Sequence, residues 1–186
     1  MEHKGTCFLE TDRLYLGRFT MKDVHAVYEN WAKDPHVTKF LSWPTHIDPE
    51  LTRKILLEWI ESYLKSDFYQ WSITLKEYPE NPVGTISAVK IDEELASISI
   101  GYCLGSAWWN RGIMTEALSA IISFFFKQVG ANRIEACHDT ENPASGRVMQ
   151  KCHMTYEGTL RKGGKNNRGI VDLAIYSILA EEYAAL

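Results

Sequence analysis

Between Tyr102 and Leu118 the chain reads Tyr-Cys-Leu-Gly-Ser-Ala-Trp-Trp-Asn-Arg-Gly-Ile-Met-Thr-Glu-Ala-Leu, the pattern of a strand, a loop and a helix start. Gly112 lies just before the helix, where it can take a positive φ or let another group approach its backbone. The helix start offers unpaired N–H groups and the positive end of the helix dipole. Together these make an anion site, for which phosphate is the natural ligand. Arg111 adds a formal charge. The same residues also fit an ordinary strand-to-helix turn that binds nothing.

Other patterns that carry chemistry are missing. There is no Gly-x-Gly-x-x-Gly, and the run from Gly158 fails as a P-loop because Gly164 stands where a lysine is required. No serine sits in a Gly-x-Ser-x-Gly elbow. Cys7, Cys103, Cys137 and Cys152 form no Cys-x-x-Cys pair, and the six histidines form no His-Glu-x-x-His. No metal is therefore expected. The cysteines read as reduced thiols, most of them buried.

The elements that must position the loop follow from periodicity. Arg13–Phe19 alternates as a first strand. Thr20 and Asp23 resemble a capping box opening a helix to about Ala32, which Asp34-Pro35 breaks. Asp48 with Pro49 starts a second helix, whose apolar face carries Leu51, Ile55, Leu56, Trp59, Ile60, Tyr63 and Leu64. Residues 68–75 alternate as a strand, Tyr78–Pro82 reads as a turn, and Val83–Ile91 and Ala96–Leu104 read as further strands. Thr115–Val129 is a helix closed by Gly130. A short strand Arg133–His138, a helix from Pro143 to about Cys152, and strands Tyr156–Leu160 and Val171–Leu179 around a Lys162–Asn167 turn complete the order. Three antiparallel strands and one crossover, which favours parallel pairing, imply an α+β fold in α/β/α layers. Its mixed, mainly antiparallel central sheet has about seven strands, with helices on both faces.

A length of 186 residues suits one domain, 1–186. Hydrophobic residues at 45% provide a core without staples. Lys and Arg number 20 against 24 Asp and Glu, a net charge of −4, which disfavours a nucleic-acid partner. The apolar run at Ile121–Phe126 is too short to span a bilayer, so no membrane partner is expected. The start, Met1 to Gly5, lacks a signal peptide's apolar region, and a cytoplasmic location is the expectation.

Trp108-Trp-Asn-Arg-Gly112-Ile-Met-Thr-Glu-Ala-Leu118 resembles the acyl-CoA pyrophosphate loop of the GNAT N-acetyltransferase superfamily, and more narrowly its RimJ/RimL-like branch. The strict loop, Gln/Arg-x-x-Gly-x-Gly/Ala, falls on Trp109, Gly112 and Met114, so only the central glycine matches it. The branch pattern, with an aromatic first position and a Met-Thr-Glu-Ala helix start, fits better. Arg133 to Met154 is similar to the family's strand and helix with Asn-x-x-Ser and a later lysine, here Asn142, Ser145 and Lys151. His153-Met154 replaces the usual Gly-Phe. Leu9–Leu14 and Asp172–Ser177 also look like this branch, so the resemblance spans nearly the whole chain.

The resemblance implies acetyl-CoA as co-substrate, with direct transfer of the acetyl group to an amine acceptor and no metal. Backbone near Tyr102, Cys103 and Leu104 would bind the pantetheine arm and polarise the thioester. Trp109, Asn110, Arg111, Gly112, Ile113, Met114 and Thr115 would surround the pyrophosphate. Asn142 is a CoA contact or a helix N-cap, or both. Ser145 would be the general acid for the departing thiolate, or a solvent-facing hydroxyl. The tyrosine acid of other branches falls at Met149. Arg147 and Lys151, four apart on one helix face, would meet nucleotide phosphates or simply solubilise the helix.

For the base, the branch often has Glu where this chain has Ser99. His138 is the first substitute, its alternative being a packed strand histidine. Glu116 reads by default as a helix-start acid, and Asp172 and Tyr176 near the last strands are lesser options. Trp31, Phe40 and Trp43 would line an acceptor pocket, or the tryptophans belong to the core. The acceptor would be a protein N-terminus or a small molecule, and the enzyme a monomer or homodimer. The competing readings are a catalytically silent CoA-binding sensor of the same fold and an unrelated phosphate-binding protein.

Overall fold

The computed structural model describes residues 1–186. Eight strands form one sheet in the order β1-β2-β3-β4-β5-β6-β8-β7. They are β1 (Leu9–Glu10), β2 (Leu14–Gly17), β3 (Gln70–Leu75), β4 (Tyr78–Asp92), β5 (Ser97–Leu104), β6 (Arg133–Asp139), β7 (Thr155–Asn166) and β8 (Gly169–Leu179). Only β5 and β6 pair in parallel, joined by the expected helical crossover; all other pairs are antiparallel.

The helices are α1 (Val24–Val27), α2 (Pro35–Thr38), α3 (Pro49–Ser62), α4 (Ile113–Phe124), α5 (Pro143–Lys151) and α6 (Ala180–Ala184). The Thr20 capping box opens a 3₁₀ turn, Met21–Asp23, ahead of α1, and a π turn, Tyr28–Ala32, follows it. Asp34 does more than end that stretch. Its side chain caps the His36 N–H at 2.8 Å and starts α2. Asp48 caps α3 through the Leu51 N–H, as its sequence implies. Leu64, placed on the α3 apolar face by spacing, lies beyond the helix end and is exposed.

Two other expectations are corrected. Tyr78–Pro82 is not a turn but the start of β4, which tolerates prolines because its register against β3 shifts between Ile73 and Leu75. Likewise Lys162–Asn166 lies in β7, whose register shift between Leu160 and Gly164 absorbs the glycines; the turn comes at Asn167-Arg168. The sheet therefore has eight strands rather than seven, the additional one being the two-residue β1.

The sheet's two faces carry different cores. Ile98, Ile100 and Leu104 of β5 join a cluster of 28 buried residues with α4, built around the stacked and edge-on rings of Tyr69, Trp71, Phe124 and Phe125. Cys103 points the other way, into a cluster of eight with Phe19, Val24, Val27, Trp31, Ala32, Val37 and Leu56. Helix α4 is buried on most sides, which explains its run of apolar residues. No helix is long and apolar enough to cross a membrane.

Trp31 is 1% exposed and packs against Phe19 at 6.4 Å between ring centroids. Its core role replaces the acceptor-lining role suggested by its sequence position. Trp31→Ala is expected to cost about 3–5 kcal/mol through the cavity it leaves. A thermal or denaturant melt checks this; an unchanged midpoint with a raised acceptor KM would restore the lining role.

Candidate active site

Strands β5 and β6 hold together over Ser97–Ile100 against Arg133–Ala136, and pairing stops there. Beyond it, β5 stays with β4 through Gly101–Leu104, while β6 stays with β8 through Cys137–Asp139. The strands thus part, and the facing edges of Tyr102, Cys103 and Cys137–Asp139 have no strand between them. A bulge at Val89 of β4, opposite the Ser99–Ile100 step, lies on the last paired rungs. Leu104 is less available than expected, because its carbonyl already accepts the Trp109 indole N–H at 2.7 Å. Trp109 therefore ties the loop to the end of β5. The Cys103 thiol is buried and pushed up to about 12 by that burial, so it is inert.

The loop at the end of β5 leads into the start of α4 and is the candidate anion cradle. Asn110 has φ +61° and Gly112 φ +74°, two left-handed residues flanking the exposed Arg111. No side chain caps α4, and the first helical bond is from Glu116 N–H to the Gly112 carbonyl. The N–H groups of Ile113, Met114 and Thr115 are therefore free for an anion, as a helix start and a backbone nest require. Ile113 and Met114 themselves are buried and anchor the turn.

A clamp from a distant element holds this cradle. Arg13, just before β2, donates through Nε to Glu116 at 2.7 Å and through Nη1 to the Arg111 carbonyl at 3.0 Å. Glu116 also accepts from the Thr11 hydroxyl at 2.5 Å and the Arg13 N–H at 2.9 Å. Burial alone would raise the Glu116 carboxyl, but these bonds outweigh it and hold it below its ordinary value. Glu116 is thus a structural partner of the loop and is not free to act as a base.

Helix α5 faces the same gap. The Ser145 hydroxyl donates to the Tyr102 hydroxyl at 2.9 Å, and Tyr102 donates back to the Ser145 carbonyl at 3.1 Å. Burial pushes the Tyr102 phenol well above its ordinary value, so it stays protonated. The motif points only to the backbone of Tyr102. Strand alternation does place its side chain, on the face shared by Ile98 and Ile100. Asn142 is the N-cap residue of α5, its carbonyl accepting the Ser145 N–H at 3.1 Å, but its side chain makes no capping bond and its amide stays free. Arg147 and Lys151 are exposed, and Met149 is buried.

His138 turns toward α5. Its Nδ1 bonds the Asp139 carbonyl at 2.8 Å, which makes Nδ1 the protonated nitrogen, and Nε2 is buried without a partner. The ring sits between Tyr176 and Gly146, where an added Cβ would lie 2.5 Å from Nε2. This is a packed strand histidine, and the base role suggested for it loses support. Gly146→Ala is expected to destabilise the fold by about 1–3 kcal/mol through overpacking. Combining it with His138→Ala should recover part of the lost melting temperature; no recovery would mean that the contact is not the cause. Tyr176 accepts from Gln150 at 3.1 Å, and Asp172 accepts the Lys162 N–H at 2.6 Å. Ser99 donates to Glu135 of the neighbouring strand at 2.5 Å.

On the opposite face, Phe40 and Trp43 are half-buried in the segment after α2. The β7–β8 turn docks on it. Asn167 donates to the Thr38 and Trp43 carbonyls at 2.8 and 2.7 Å, and Arg168 lies over the Phe40 ring. Arg168 also pairs at 2.9 Å with buried Asp139. Burial raises the Asp139 carboxyl, but bonds from the Glu141 N–H, Asn166 and Arg168 reverse this and hold it low. Sequence order hides these contacts, which join segments more than 120 residues apart. No group of three or more His, Cys, Asp or Glu is gathered as a metal would need.

A mixed sheet parted between two parallel strands, with an anion cradle at the gap, defines an acyltransferase fold. The chain belongs to the GNAT acetyltransferase family: residues 13–155 match the family described as the acetyltransferase (GNAT) domain. It is 31% identical over 176 residues to the uncharacterised N-acetyltransferase p20 of Bacillus licheniformis, covering 95% of this chain and 98% of the relative. A GNAT-family acetyltransferase of Bacillus anthracis superposes with a TM-score of 0.82 at 28% identity, covering 95% of this chain and all of the other. RimL, a ribosomal α-N-protein acetyltransferase in complex with coenzyme A, shares the fold with a TM-score of 0.83 at 21% identity, covering 95% of this chain and 99% of that one. The resemblance read from the sequence is borne out, and the protein is an N-acetyltransferase.

Proposed function

We propose that the protein moves an acetyl group from acetyl-CoA directly to a primary amine, a protein N-terminal α-amine or a small amine, within a ternary complex. The observation that carries this reading is the free helix start at Gly112–Thr115 placed at the mouth of the parted strands. Asn110 to Thr115 would hold the pyrophosphate, with Arg111, Arg147, Lys151 and Asn142 near it. The unpaired edge of Tyr102 and Cys103 would hold the pantetheine arm. Bound acetyl-CoA would supply the thioester and its leaving thiolate.

The chain's own residues supply the rest. The edge N–H groups polarise the carbonyl, and the Ser145–Tyr102 pair stands ready to donate to the thiolate. Holding amine and thioester together supplies much of the rate without an acyl-enzyme. Phe40 and Trp43, braced by Asn167 and Arg168, form the acceptor side. The α-amine branch of the reading is supported by the name of the RimL fold neighbour. The protein would work in the cytoplasm, as a monomer or homodimer, without nucleic acid or membrane.

The test is a screen with labelled acetyl-CoA against N-terminal peptides, ribosomal proteins and polyamines. Saturable transfer to one class is expected. Tight CoA binding with no transfer would favour a silent sensor. No thermal shift with CoA would overturn the cradle assignment as well.

A further inference from the structure

The attacking amine must lose a proton, and a base for it has to lie on the open side of the parted strands. The helix side is closed, since Ile100, Ala136 and Ile134 are buried there under α4 and α5. On the other side, residues one rung apart face solvent: Cys137 is exposed, as is Val89 at the β4 bulge. The last rung on this face before the strands part is the register pair Ser99 and Glu135. Both are half-buried. Pairing continues the row outward to Lys90 of β4 and Ser177 of β8.

The other acids and the histidine near the gap are already engaged. Glu116 is held by Arg13 and Thr11. Asp139 is held by Arg168, Asn166 and the Glu141 N–H. Glu157 of β7 binds Arg133 at 2.6 Å and accepts from Ser177 at 2.7 Å; chiefly through the Arg133 bond, it is lowered to about 2. His138 has its ring under α5. Glu135 differs. One oxygen accepts only Ser99 at 2.5 Å, and the other takes two longer contacts from Arg133, Nη2 at 3.2 Å and Nε at 3.4 Å. Each oxygen keeps acceptor capacity for a further N–H.

We propose that Glu135 takes the proton of the attacking amine, with Ser99 and Arg133 as its positioning residues. As the C–N bond forms and the C–S bond breaks, one amine proton passes to the Glu135 carboxylate. The thiolate takes its own proton from the Ser145 side or from solvent, and Glu135 returns to its ionised form by giving the proton to water. Arg133, shared with Glu157, keeps the carboxylate in place, and Ser99 aims it along the rung. The proposal rests on the acetyltransferase reading above.

The test uses the full chain and the best acceptor from the amine screen. Glu135→Gln is expected to lower kcat about 10²-fold, at the lower end of general-base effects, with acetyl-CoA affinity unchanged. Arg133→Gln removes the ion pair while leaving the carboxylate, and should lower kcat by about tenfold, clearly less than Glu135→Gln, as befits a positioning residue; an equal loss in both would make Glu135 merely structural. The transposed variant Ser99→Glu/Glu135→Ser moves the carboxylate to the facing strand and should regain most of kcat. This variant stands in if Glu135→Gln folds poorly. Turnover in Glu135→Gln within about threefold of the wild type, or no recovery on transposition, would overturn the proposal. A wild type that binds CoA but acetylates no amine would instead remove the reading beneath it.

Discussion

Gly112→Asp is expected to weaken acetyl-CoA binding by at least about 100-fold, roughly 2.7 kcal/mol. Gly112 holds φ +74° at the start of α4, and Asp adopts such angles more readily than most residues. The fold should therefore persist, with a backbone cost of about 1–2 kcal/mol. The new carboxylate would sit beside the free N–H groups of Ile113 to Thr115 and occupy the place meant for phosphate. Its Cβ would lie 3.4 Å from Arg13 Nη2, so that Arg13 would be drawn from its clamp on Glu116. Calorimetry with acetyl-CoA measures the loss. Gly112→Ala carries at least as much backbone strain without the charge and should lose far less. Equal affinity in Gly112→Asp and the wild type would place the phosphates elsewhere.

Gly112 is legible in the sequence, because a glycine before an apolar helix is local chemistry. So are the Thr20 capping box, the Asp48-Pro49 start and the Gly130 stop, each set by residues within one turn of each other. The strand errors share a cause too. Proline and glycine at Pro79, Pro82, Gly163 and Gly164 signal turns locally, yet a register shift lets a long strand absorb them. A shift is a property of two strands, and no single segment displays it.

The same division runs through the site. The cradle and Ser145 lie in continuous motifs, so residue order alone is enough to point to them. The clamp of Arg13 on Glu116 and the Arg111 carbonyl spans about 100 residues, and the latch of Asn167 on the Trp43 carbonyl spans 124. Neither leaves a local pattern, because an arginine or an asparagine in a loop has many possible partners. His138 shows the converse. Its residue type suggests a base, but strand alternation sends it to the helix face with Ile134 and Ala136, while Glu135 goes to the open face.

Ser145→Ala is expected to lower kcat about 10²-fold while changing acetyl-CoA affinity by less than about threefold. The Ser145 hydroxyl donates to Tyr102 at 2.9 Å, and rotation about its χ1 would turn it toward a developing thiolate. Tyr102 is the less suitable donor. Its proton is already engaged by the Ser145 carbonyl. Burial raises the phenol, so it stays protonated where a free tyrosine begins to ionise and should add no alkaline limb below about pH 10. Tyr102→Phe should therefore cost less, about tenfold in kcat, by releasing Ser145 from its resting partner, and should also lower the melting temperature. Steady-state kinetics on both variants separates the roles. If Ser145→Ala keeps full turnover and Tyr102→Phe does not, the phenol is the donor. If both keep it, the thiolate leaves unaided, as a thiol of ordinary pKa near about 8.5 can do.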